Sequence, residues 1–238
     1  MASTFSNRAK REARLQQVVY ENEIISDRSY NLLMGGVVLY GLLVNFILCA
    51  TVGVDIFYSV SPIAFIIMYL VLAFGGTFIA NRSNNAIISF LGYNMVVVPL
   101  GILVSFLVYV YGGIGSDVVA GAFFYTVLIT AIMILAAALY PQIFSRIGGF
   151  LLTALFGALI AGIILSFLGI YSSGYSFIVA CIFALYIGFD FWRSQQYPKT
   201  ADNAVDCALD IYLDIINLFI RILEIMGRSN GGSSRRAR

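Results

Sequence analysis

Six runs of about 20 residues between Asn31 and Trp192 carry hardly a charge, and about 20 apolar residues is the helix length that crosses a hydrocarbon core of about 30 Å. A seventh run, Asp202 to Gly227, is apolar but interrupted by regularly spaced acids. Lipid offers no hydrogen bonds, so a spanning chain must satisfy its own backbone as helices or as a closed barrel. The runs lack the alternation of a barrel strand. The expected fold is therefore an all-α membrane protein, a bundle of seven transmembrane helices with the seventh helix central, where its acids are shielded from lipid. Composition agrees, with 61% hydrophobic and only 11% charged residues, against about 25% charged in soluble domains.

The sequence predicts spans at about Asn31–Val54, Pro62–Ala80, Ala86–Tyr111, Val118–Tyr140, Gly148–Ile170, Tyr175–Trp192 and Asp202–Gly227. Residues 1–30 read as a charged N-terminal tail without the apolar core of a cleavable signal peptide. Residues 31–227 read as one transmembrane domain and 228–238 as a flexible basic tail. Pro62 suits a first helical turn, and Thr200 or Asp202 can cap the last helix. Asn94 and Pro99 inside the third span predict a bend. Gly149, Thr153, Gly157 and Ala161 form a small-residue stripe for close helix packing.

Orientation follows from the basic residues. An N-terminus in the cytoplasm places Arg8, Lys10, Arg11, Arg14, Arg28, Arg82, Arg146, Arg193 and Lys199 inside and leaves the three outer loops without Lys or Arg. The expected location is an integral one, in the plasma (inner) membrane of a prokaryote or an internal membrane of a eukaryote. Basic residues without interleaved aromatics argue against nucleic acid as a partner. Cys49, Cys181 and Cys207 lack metal or disulfide spacing, and the sequence holds no histidine, so no metal site or cofactor is expected and proton sensing falls to carboxylates.

Asp202, Asp206, Asp210 and Asp214 recur every fourth residue, forming one acidic stripe on the seventh helix. An ionised aspartate at bilayer depth costs at least about 2.5 kcal/mol unless paired or wetted, which marks Asp214 as functional. Asp206 and Asp210 are supporting candidates that attract cations from the helix end, whereas Asp202 reads as a solvated end residue. Asn217 and Arg221 follow Asp214 on the same face and offer a hydrogen bond or counter-charge. Asp190 closes the sixth span. Helical rise alone sets Asp190 and Asp214 at depths about 12 Å apart on straight antiparallel helices, so spacing does not establish contact. If they meet, both cannot be ionised in a low dielectric and the pair keeps one proton near neutrality.

Gly188-Phe189-Asp190 and Leu213-Asp214-Ile215-Ile216-Asn217-Leu218-Phe219, with seven spans in this order, resemble the transmembrane Bax inhibitor motif family. The resemblance implies that Asp190 and Asp214 form a carboxyl pair acting as proton sensor on a calcium-leak pathway, with Ca²⁺ as the permeant ion. It also implies an arginine latch after the second span, for which Arg82 is the candidate. The chain departs from the family's prokaryotic pattern in having no glutamate in the second span and in Phe191-Trp192-Arg193 after the first acid.

Three functions are compatible with these features. A pH-sensitive calcium leak uses the carboxylates as hard oxygen ligands. A non-transporting adaptor would instead use the charged tails to bind and regulate a membrane-protein partner, a membrane protease or a cell-death regulator. An intramembrane aspartyl protease also needs two aspartates on neighbouring helices, but Asp214 follows Ile211-Tyr212-Leu213 rather than a Gly-x-Gly element and no Pro-Ala-Leu occurs, so a non-enzymatic role is expected.

Overall fold

Each helix begins and ends where local chemistry directs it. The computed structural model describes residues 23–53, 62–83, 85–170 and 172–236. Seven helices occupy these residues: α1 (Asp27–Thr51), α2 (Pro62–Arg82), α3 (Ala86–Val110), α4 (Asp117–Leu139), α5 (Pro141–Phe167), α6 (Ser173–Ser194) and α7 (Ala201–Arg236). Ser26 Oγ accepts from the Ser29 N–H at 3.1 Å to cap α1, and Asn85 Oδ1 accepts from the Ile87 N–H at 2.9 Å to cap α3. Thr200 caps α7, its Oγ1 accepting from the Asn203 N–H at 3.1 Å. These contacts satisfy backbone donors left open in a first turn. Gly169 (φ 66°) closes α5 while the Ile170 N–H reaches back to the Leu165 carbonyl at 2.9 Å, a left-handed cap that only glycine adopts freely.

Five of the helices, α1, α3, α4, α5 and α6, are long and apolar enough to cross a membrane. The described apolar part of α2, Ile67–Ala80, is shorter. No strand occurs among the described residues. Thus the protein is an all-helical integral membrane protein. α7 falls outside the apolar set because acids and arginines interrupt every stretch of membrane length within it, yet from Asp202 to Phe219 only Asp210, Leu213 and Asn217 escape full burial. A helix polar in sequence but enclosed in protein must direct its acids at other protein groups.

The described residues fall into two compact units. One comprises residues 23–119 and 199–212. Within it α3 packs on both α1 and α2. α2 and α3 approach at Gly76 and Gly92, where a Cβ added to either would lie 2.5 Å from the other's carbonyl oxygen. Tyr93 donates to the Val37 carbonyl at 2.9 Å, and its ring lies 5.6 Å from that of Tyr212. Asn45 and Tyr212 exchange hydrogen bonds of 2.9 and 3.1 Å between α1 and α7. Asn94, beside the expected bend, accepts from Tyr40 at 2.8 Å and donates to the Phe90 carbonyl at 2.8 Å, and α3 continues through the buried Pro99.

This unit corrects one expectation. Asp202 is buried, not solvated, and accepts a 2.7 Å hydrogen bond from Ser89. The polar run before α7 doubles back against the chain preceding α1, where the Ile25 N–H donates to the Lys199 carbonyl at 2.8 Å. The Lys199 ammonium sits 4.5 Å from the Tyr30 ring centroid. Burial lowers the Lys199 pKa, with Asp27 and Cys207 partly opposing the shift.

The other unit comprises residues 120–198 and 213–236. α5 packs on α6, and Phe144 of α5 and Trp192 of α6 form a buried cluster with Ala137 of α4. The predicted small-residue stripe does not make this interface, since a Cβ added at Gly149 or Gly157 would meet nothing within 4 Å. The close approach is made one position earlier and from the partner helix. Phe189 covers Gly148, 2.7 Å from a built Cβ, and Phe144 fills the notch left by Gly188. Spacing alone did not tell which of two adjacent glycines faces inward.

Candidate functional site

The last turns of α6 set the geometry of the second unit's polar interior. Residues four and three apart on a helix share a face, so Tyr186, Asp190 and Arg193 project together. Gly188 and Phe189 lock that face, because the first admits the Phe144 ring and the second packs on Gly148. This is the physical content of the Gly188-Phe189-Asp190 element: a notch, a wedge and, next along the helix, a buried acid.

Asp190 is only 7% exposed and pairs with Arg193, whose Nη2 lies 3.2 Å from Oδ1. The Arg193 guanidinium also lies 5.5 Å from the Phe189 ring centroid, which holds it over the acid. Asp214 on α7 is equally buried, at 7% exposure. The Tyr186 phenol experiences the fields of Asp190, Asp214 and Arg193. Both predicted acids and Arg193 therefore lie within electrostatic reach of one tyrosine in this unit.

The other expected site residues lie as follows. Asn217 donates to the Leu213 carbonyl of its own helix at 2.7 Å. Arg221 Nη1 binds Glu224 at 3.0 Å, and Ser176 donates to the same carboxylate at 2.8 Å. Asp206 is buried and Asp210 half-buried in the first unit. The Arg82 side chain lies outside the described residues.

Sequence reasoning passed over two members of this cluster. Arg193 stood in the sequence at the three-residue spacing of a helical ion pair, a signal that was available. Tyr186 stood four residues before Asp190 on the same face but carried no signal to separate it from the other intramembrane tyrosines.

Two buried acids, a guanidinium and a phenol can bind protons or contact cations. Over residues 22–231 the chain matches the sequence model of the family described as "Inhibitor of apoptosis-promoting Bax1". Since that match covers most of the chain, from before α1 into α7, the chain belongs to the Bax inhibitor motif family of membrane proteins.

Proposed function

We propose that this protein is a pH-sensitive leak for cations, Ca²⁺ foremost, in which α7 is the central helix and Asp190 and Asp214 form the proton-responsive element. The observation that carries this reading is the burial of both acids, with Arg193 paired to Asp190 at 3.2 Å. A buried carboxylate is tolerated when a counter-charge neutralises it. Here Arg193 fills that role while the passage is shut. Protonation of the pair, or arrival of a divalent cation whose charge replaces that of the guanidinium, changes the charge balance and releases Arg193. Carboxylate oxygens suit Ca²⁺, a hard cation. Nearly continuous burial of α7 from Asp202 to Phe219 supports its central place.

The test is Ca²⁺ flux into liposomes containing only the purified protein, at two pH values. Asp190→Asn and Asp214→Asn should each shift or abolish the pH response, and the double variant should add little, because groups acting as one unit are non-additive. A folded protein that passes no Ca²⁺ at either pH would defeat the leak and favour an adaptor role.

A further inference from the structure

A separate polar site lies at the other end of α6. A cavity of about 570 Å³ opens where α5 ends, α6 begins and α7 passes Arg221 to Arg228. It is lined by two guanidinium groups, Arg221 and Arg228, against one carboxylate, Glu224. That carboxylate is already engaged, accepting from Ser176 at 2.8 Å and from Arg221 Nη1 at 3.0 Å. Glu224 therefore orients Arg221 more than it occupies it.

Two further observations point to an anion as the ligand. Arg221 Nε is shielded from solvent and donates to no acceptor among the described residues, a state that native interiors seldom tolerate without a bound ligand, ion or water. The guanidinium is also held in place, its carbon 5.7 Å from the centroid of the Tyr175 ring, and that ring is fixed by a 2.9 Å hydrogen bond from its hydroxyl to the Ala158 carbonyl. A planar, pre-oriented guanidinium matches the oxygens of a phosphate or carboxylate. On the open side, Ile163 and Phe167 are 49% and 89% exposed. A charged recess beside bare apolar side chains at the end of membrane-length helices fits an amphiphile whose anionic group sits at headgroup depth.

We propose that this cavity binds the phosphate of an anionic phospholipid, with Arg221 and Arg228 holding the phosphate oxygens and the acyl chains lying along Ile163 and Phe167. The site lies about 21 Å along α6 from Asp190, counting from Ser176 at 1.5 Å per residue. It stands or falls independently of ion flux.

The experiment is native mass spectrometry of the full-length protein in detergent, titrated with phosphatidylglycerol, with phosphatidylcholine or with inorganic phosphate. Phosphatidylglycerol should be retained in preference to phosphatidylcholine, and Arg221→Gln should weaken it about tenfold, the scale of one hydrogen bond to a charged group. Glu224→Gln removes the competing negative charge and should tighten the lipid; this variant decides the matter if Arg221→Gln does not fold. Equal retention of both lipids, or phosphatidylglycerol binding unchanged in a folded Arg221→Gln and in Glu224→Gln, would overturn the site. Displacement of the lipid by millimolar inorganic phosphate would reassign the recess to a free anion and overturn the lipid proposal.

Discussion

Tyr212→Phe removes one oxygen atom from the interior of the first unit and tests what joins α7 to α1. Tyr212 is 0% exposed and Asn45 4%, and their side chains exchange hydrogen bonds of 2.9 and 3.1 Å. Deleting the hydroxyl leaves a buried amide with neither its acceptor nor its donor. In proteins generally, such an orphaned group costs about 1–3 kcal/mol. Between membrane helices the measured range is lower, averaging about 0.6 and reaching about 1.7 kcal/mol. Reciprocal bonding at zero exposure puts this pair near the top of that range, at about 1.5 kcal/mol. Asn45→Leu should be similarly costly, because it orphans the phenol. The double variant Asn45→Leu, Tyr212→Phe removes both polar partners and should recover about 1 kcal/mol of the summed loss. The assay is equilibrium unfolding in mixed micelles, with all four proteins compared at one detergent composition. A Tyr212→Phe variant as stable as the parent, or a cycle additive to within about 0.3 kcal/mol, would refute the reasoning.

Three other outcomes are expected. Arg193→Gln removes the opposite charge that favours ionised Asp190 and should move the flux-versus-pH curve to higher pH by about one unit; a curve that stays in place would remove Arg193 from the mechanism. Gly188→Ala drives a methyl group into the Phe144 ring, whose Cζ lies 2.8 Å from a built Cβ, and should cost about 1–3 kcal/mol by overpacking, read as a lower unfolding midpoint, with Phe144→Leu in the same chain restoring part of it. Lys199 has its folded pKa lowered from 10.5 by burial, so the unfolded chain binds more protons just below that pH and stability should rise with pH there; Lys199→Met should lose this slope, and an unchanged slope would assign it to other groups.

Much of the fold was legible because membrane burial writes itself into span length. Each of the seven predicted spans overlaps one helix, five of them long and apolar enough to cross a membrane, and α5 starts at Pro141 rather than Gly148, where the proline supplies a ready first turn. Periodicity also correctly grouped the α7 acids on one helix. What it could not supply was the identity of the neighbour across the interface. Asp202 reads as a solvated end until Ser89, 113 residues away, is found donating to it. Asn45 reads as an interruption of an apolar span until Tyr212 is found opposite. Asn217 has the spacing to serve Asp214, yet a shorter path exists to the Leu213 carbonyl, and local back-bonding to the helix competes with any distant partner.

The bond between Arg193 and Asp190 joins two positions on one helix rather than two helices. A latch thrown across a helix interface breaks when either helix slides, so its state reports mechanical displacement. A pair carried on the rigid end of α6 is indifferent to such movement: α6 can shift or rotate as a body and the ion pair travels with it. Only events at the scale of side chains part these groups, namely a proton taken up, a competing ion arriving or a rotamer turning over. Such steps run orders of magnitude faster than helix rearrangements. The acid's counter-charge is thereby insulated from the bundle's slower motions and left responsive to chemistry.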